Sequence, residues 1–150
     1  MSTQLKDFAT AAVAVVEPET PAAMAAFLMR KHHVGALVVV DAEEHVRPVG
    51  IVTDRDLVLG LMAEGLDASV FTAGDMMSTP VVTAPPEMDS MEAVSLMCRH
   101  RLRRLVVVDE AGRLVGIATM EDLLEAIAGQ LSEMVAGLRG ARDREFEQRA

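Results

Sequence analysis

Thr53 with Asp56, and again Thr119 with Asp122, are the residues whose types and spacing could hold a nucleotide. Each threonine ends an apolar stretch that opens on glycine (Gly50, Gly116), and each aspartate follows three residues later. That spacing suits the first turn of a helix, where unpaired N–H groups and a partial positive charge welcome phosphate. A carboxylate one turn in can accept two hydrogen bonds from a ribose diol, as acidic side chains do in other nucleotide folds. The same spacing also makes a self-capping box worth about 1 kcal/mol, which needs no ligand. One copy alone reads as a cap. Two copies at equivalent positions favour a nucleotide site, although inherited capping would repeat in the same way.

Charge supplies a second signal. Arg99, His100, Arg101, Arg103 and Arg104 crowd into six positions of a chain whose net charge is −9. Cations at a helix end are favourable in any case. Arg103 and Arg104 differ, because they precede the apolar run 105–108 and a side chain there can point into a cleft. A guanidinium can grip phosphate through two hydrogen bonds. Lys31, His32 and His33 are adjacent, so on a helix they face different ways and read as solvated or capping. His45 falls in a turn and carries no argument. Cys98 sits at an apolar helical position and reads as an inert core thiol. With no nucleophile–base pair, glycine-rich phosphate loop or metal-ligand spacing, the chain reads as a non-enzyme without metal or catalytic cofactor.

The elements that would position these residues come from an internal repeat. Residues 50–57 (GIVTDRDL) return 66 positions later as 116–123 (GIATMEDL), while Val38-Val39-Val40-Asp41 returns 68 positions later as Val106-Val107-Val108-Asp109. The difference places a two-residue deletion between 109 and 116, in a hairpin turn. Each copy runs from a short apolar stretch (11–16; 81–84) into a helix. Thr20 reads as the cap of the first, with Pro21 at its first position; Asp89 and Glu92 have capping-box spacing in the second. Met24, Phe27, Leu28 and the Lys31 stem, and then Met91, Val94, Met97 and Cys98, mark the expected core faces. A β-branched run (36–40; 105–108) suits a strand covered on both faces. A polar turn, a second strand (49–52; 114–118) and a second helix from Thr53 or Thr119 complete a β-α-β-β-α unit. The expected organisation is repeat one over 8–64, a connector over 65–77, repeat two over 78–128 and a tail over 129–150. In that tail Leu131, Met134, Val135 and Leu138 predict a helix docked on the module or on a partner subunit, fraying at its end.

Composition agrees with a single α/β (α+β) domain. The 150 residues are 51% hydrophobic but only 3% aromatic, so the core must be built from Val, Leu, Ile, Ala and Met. The acidic balance argues against a dedicated nucleic-acid binder. The single cysteine excludes an internal disulfide, and apolar runs are far short of the ~20 residues of a membrane span. A cytoplasmic location is the expectation.

The repeated V-V-V-D and G-I-x-T-x-x-D-L motifs, in this order of elements, resemble the CBS domain, and two in tandem resemble a Bateman module, over roughly 8–127. The resemblance implies two repeats paired about a pseudo-twofold. It also implies adenosyl ligands (AMP, ADP, ATP or S-adenosylmethionine) held in two clefts between them. In the family an Asp of this pattern holds the ribose hydroxyls and the Thr meets phosphate or ribose. A His-Arg pair before a similar strand contacts phosphate in one member; Arg104 matches that Arg, and Arg103 replaces the His. One expected cleft gathers Thr53, Arg55 and Asp56 with Val81, Val82, Arg103 and Arg104, and suits a phosphorylated nucleotide. The other gathers Thr119 and Asp122 with Val13, Ala14, Gly35 and Ala36, and suits a weakly charged adenosyl group or stays empty. The implied role is a regulatory, energy-sensing module, a homodimer with a separate effector protein. The alternative is an assembly module whose clefts are degenerate.

Overall fold

The computed structural model describes residues 3–11, 13–44 and 46–149, so His45 lies outside it, as do Ala12 of the first apolar stretch and Ala150 of the tail. Repeat one contains β1 (Val15–Val16), α1 (Ala22–His32), β2 (Ala36–Val40), β3 (Pro48–Thr53) and α2 (Asp54–Leu57), which continues as a π-helical turn over Val58–Met62. A short α3 (Ala73–Met76) leads to repeat two: β4 (Thr83–Ala84), α4 (Ser90–His100), β5 (Arg104–Val108), β6 (Leu114–Thr119) and α5 (Met120–Arg149). Each repeat carries a three-stranded sheet, β1-β2-β3 and β4-β5-β6, with the first pair parallel and the second antiparallel. Both hairpins bulge at the same place, between Val39 and Val40 and between Val107 and Val108.

The unbroken apolar character of β2 and β5 has a direct cause. Leu37 and Val39 pack on the helices of repeat one, whereas Val38 and Val40 pack on Val106 of repeat two. Leu105 and Val107 likewise enter the repeat-two core. Successive side chains of a strand point to opposite faces, so covering both faces removes any polar alternation. The repeated aspartate that ends each run is a turn-maker. Asp41 Oδ1 accepts the Glu43 N–H at 2.7 Å, and Asp109 Oδ1 accepts the Ala111 and Arg113 N–H groups at 3.0 and 2.9 Å. The Arg113 N–H foremost, with help from the Arg113 side chain and the Ala111 N–H, holds the Asp109 carboxyl below its ordinary range. The turns close from Asp41 N–H to Arg47 C=O and from Asp109 N–H to Arg113 C=O, and the missing two residues of repeat two fall inside the second.

The first helices match the expected core faces only in part: Leu28, Val94 and Met97 pack inward as expected, and Met24, Phe27, Met91 and Cys98 do not. Ala22, Ala25 and Met29 are buried on α1, while Met24 and Phe27 are 48% and 53% exposed. On α4 the buried set is Ser90, Ala93 and Met97, and Met91 and Cys98 are exposed, so Cys98 is not a core thiol. Small residues let each helix lie close to its sheet, Met29 and Met97 reach into the two cores, and Met24, Phe27 and Met91 are left on the outer surface. Thr20 does not cap α1 either. The N-cap is Pro21, with ψ of 141°, and the Ala22 and Ala23 N–H groups donate to the Phe71 and Ala68 carbonyls at 2.8 and 2.9 Å. The returning loop thus satisfies the orphan donors that a threonine hydroxyl would have served. Asp89 does cap α4, through the Met91 N–H at 2.9 Å, without a return bond from Glu92 among the described residues.

The segment ahead of each repeat packs on the opposite repeat. Leu5, in a single 3-10 turn over Leu5–Asp7, is fully buried in the repeat-two core with Ala93, Met97, Leu105 and Leu123. Its N–H donates to Met88 C=O at 2.9 Å, and Thr10 bridges Ile117. Sixty-eight positions later Ala73 is buried in the repeat-one core, and Ser78 bridges Ile51. These exchanged segments explain the repeated glycines. A Cβ on Gly50 would stand 2.3 Å from Met77 Sδ, and one on Gly116 would stand 3.0 Å from the Thr10 carbonyl oxygen. Gly50→Val is therefore expected to destabilise the protein by about 1–3 kcal/mol through overpacking, as read by urea unfolding; an unchanged midpoint would show that the segment can move aside.

The tail is not a separate docked helix. Residues 129–149 continue α5 without a break, and every residue from 131 to 149 is exposed. The last tie to the module is the Gln130 side-chain amide donating to the Thr3 hydroxyl. Among the described residues no helix is long and apolar enough to cross a membrane.

Candidate functional site

Both Thr–Asp pairs form capping boxes at the ends of β3 and β6. Asp56 Oδ2 accepts the Thr53 N–H at 2.8 Å, and Thr53 Oγ1 accepts the Asp56 N–H at 3.1 Å. Asp122 Oδ2 accepts the Thr119 N–H at 3.3 Å, and Thr119 Oγ1 accepts the Asp122 N–H at 3.1 Å. A third box, Thr72 with Asp75, opens α3 with the same geometry. The box is accordingly a local device of this chain, recurring ahead of the second repeat as well. What is left for a ligand is the second carboxylate oxygen and, at α5, no more than the Glu121 N–H. Met120 and Asp122 donate to Arg103 C=O and Thr119 Oγ1, and in α2 Asp54, Arg55 and Asp56 donate to Gly35 C=O, Asp54 Oδ1 and Thr53 Oγ1.

The site differs by what surrounds each box. Val13, Ala14, Gly35, Ala36 and Thr119, five of the six residues expected in one cleft, line a single cavity of about 240 Å3 between the repeats. Asp122, the sixth, is half-buried one turn into α5 and bonded to Thr119. Thr10, Val34 and Ile117 complete the wall. Thr10 belongs to the exchanged N-terminal segment, so no local pattern marked it. Its position 68 residues before Ser78 was the one available signal.

Arg104 also lines this cavity, not the Thr53 cleft in which it was expected. Its backbone pairs with Thr119 across β5 and β6. Its guanidinium Nη2 lies 3.4 Å from the point where a Cβ on Gly35 would stand, and Asp54 Oδ2 lies 3.1 Å from that point. Gly35 thus leaves room beside the guanidinium: a Cβ there would touch Arg104 at ordinary contact distance and crowd the Asp54 carboxylate. Among the described residues no ion pair engages Arg104, and its half-buried side chain keeps its donors available.

The other expected group is spread out. Arg103 is 82% exposed and lies 3.6 Å from Glu121 Oε1, a surface pair worth about 0–1 kcal/mol. Arg55 and Asp56 border a shallow hollow with Asp75 and Met76. Thr53 pairs with Ala36 across β2 and β3. Val81 packs in the inter-repeat core beside Val13 and Val38, and Val82 packs against the core of repeat two. His33 and Arg101 take the left-handed conformation that ends α1 and α4, with φ of 54° and 55°; His33 is thus a helix terminator.

Two mixed three-stranded units, joined through their central strands and exchanging their leading segments, define a tandem-repeat module with a cavity at the seam. The chain belongs to the CBS domain family, whose model matches residues 5–63 and 73–129. It is 41% identical over 108 residues to the uncharacterized protein MK0525 of Methanopyrus kandleri, covering 72% of this chain and about half (54%) of that one. It is 40% identical over 133 residues to the CBS domain-containing protein YhcV of Bacillus subtilis, covering 89% of each chain. The CBS domain protein PAE2072 of Pyrobaculum aerophilum, solved in complex with AMP, shares the fold with a TM-score of 0.75 at 24% identity, covering 85% of this chain and 99% of that one.

Proposed function

We propose that this protein is a regulatory module that binds an adenine nucleotide in the cavity between Gly35 and Thr119. One observation carries the reading: Arg104 and Thr119 of repeat two line a single cavity with Val13, Ala14, Gly35 and Ala36 of repeat one, and its walls are otherwise mostly apolar. Arg104 and the Thr119 hydroxyl would hold phosphate, Asp122 the ribose hydroxyls, and the backbone of 13–14 and 34–36 the base. That AMP occupies a protein of this fold supports the assignment. The ligand would touch repeat one through Val13, Ala14, Gly35 and Ala36, and repeat two through Arg104, Thr119 and Asp122. It would therefore favour whichever inter-repeat geometry it fits better, and that geometry is the signal. The Thr53–Asp56 box, beside Arg55 and Asp75, is the weaker second cleft. The module works as a homodimer that reports cellular energy charge to an effector protein. Large apolar side chains left exposed along α5, Leu124, Leu131, Met134 and Leu138, support the pairing.

Titration calorimetry of the full chain with AMP, ADP, ATP and adenosine tests the site. Asp122→Asn is expected to weaken nucleotide binding about 10- to 100-fold, the worth of charged hydrogen bonds of about 1.5–3 kcal/mol, and Asp56→Asn to change it far less. Equal losses in both variants, with unchanged melting temperatures, would overturn the assignment of the cavity. The absence of any binding would leave the exposed helical faces as the operative feature and favour an assembly role.

A further inference from the structure

The C-terminal part of α5 carries a seam that its own module leaves uncovered. Leu124, Leu131 and Leu138 recur every seven residues, with Ile127, Met134 and Ala141 between them, which is the a/d pattern of a two-helix coiled coil. Leu124, Leu131, Met134 and Leu138 are each more than half exposed. The same stretch contains Gly129, Gly137 and Gly140, and a Cβ added at any of them would meet nothing within 4 Å. Glycine is among the poorest helix formers, and helices in proteins are held chiefly by packing of an apolar face. A helix so rich in glycine, running free of the module, requires a partner along this seam.

We propose that the partner is the same seam of a second copy, running antiparallel. Charge decides the direction. Residues 120–133 carry Glu121, Asp122, Glu125 and Glu133 and no Lys or Arg, whereas residues 139–149 carry four Arg against Asp143, Glu145 and Glu147. A parallel pair would set the acidic half on its own like. An antiparallel pair sets it beside the arginine-bearing half of the other helix. In the register that joins a to d positions, Leu131 of one copy meets Met134 of the other, Leu138 meets Ile127, and Leu124 meets Ala141. The contact is isologous, so it closes as a dimer. This inference rests on the homodimer reading above and names the element that makes the dimer.

Analytical ultracentrifugation of the full chain against Leu131→Asp/Leu138→Asp is the first test. The double variant is expected to raise the dimer dissociation constant about a hundredfold or more while each module stays folded by circular dichroism, since both residues lie outside the core. A wild-type chain that is monomeric would overturn both this proposal and the homodimer reading. A double variant that stays dimeric would overturn this proposal alone and send the dimer contact to another face. Orientation is read from spin-label distances in a Cys98→Ser background. Labels at Ser132→Cys are expected within about 25 Å of each other, and labels at Arg144→Cys about 35 Å or more apart, from the rise of 1.5 Å per residue. Short distances at both positions would mean parallel helices and overturn it.

Discussion

Replacing Leu5 by alanine is expected to destabilise the protein by about 2–5 kcal/mol, the usual cost of emptying a core leucine site. Leu5 stands outside the stretch that repeats most plainly, yet it is fully buried among Ala93, Met97, Leu105 and Leu123 of the distant repeat. No local element would collapse to fill the space, because the surrounding side chains belong to α4, β5 and α5 and are held by their own sheet and helix bonds. For a chain of this length the loss corresponds to a fall in melting temperature of about 10 °C. Met24→Ala is the control. Met24 occupies an apolar helical position but is about half exposed, so its truncation is expected to cost about 0.5 kcal/mol. Thermal and urea unfolding of both variants checks the pair. If Met24→Ala proved costly and Leu5→Ala neutral, the exchange of leading segments and the inward face of α1 would both be wrong.

Arg104→Ala is expected to weaken binding of phosphate-bearing nucleotides about 10- to 100-fold while leaving adenosine nearly unaffected. Charged hydrogen bonds to phosphate are worth about 1.5–3 kcal/mol, and only the phosphate is lost from the contact. Arg104→Lys should recover part of the affinity, since an ammonium supplies the charge without the paired donors. Arg103→Ala should change binding less than about twofold, because that side chain is exposed and engaged with Glu121 at the surface. Neither substitution removes a described partner from the core, so melting temperatures should hold. Calorimetry with AMP, ATP and adenosine separates these outcomes. An equal loss for adenosine, or an equal loss in Arg103→Ala, would remove the phosphate role from Arg104.

Much of this molecule was written locally. The repeat, the two hairpins with their aspartate turns and the Thr–Asp boxes each depend on residues close in sequence, whose φ/ψ preferences, branching and short-range hydrogen bonds act before any tertiary contact. The inward faces of α1 and α4 were legible only in part, at Leu28, Val94 and Met97, because alanine and methionine are both apolar and lie one or two steps apart on the helix. Only packing on the sheet selected Ala22, Ala25 and Ala93 over Met24 and Met91. The exchange that buries Leu5 and Ala73 was hidden for a similar reason: a short segment has no periodicity, and its burial depends on a surface distant in sequence, in the other repeat. The tail's stripe was visible, but whether it folded back on the module depended on α5 running straight past Gly129.

The candidate site shows the same division. Its residue types, Thr119 with Asp122 and an arginine ahead of an apolar strand, followed from the sequence alone. Which cavity receives the arginine did not. Thr119 beside it in the sheet and the bare backbone of Gly35 across the seam are 15 and 69 positions away. A guanidinium goes where another chain segment leaves room for it, and that room exists only once the two repeats have met.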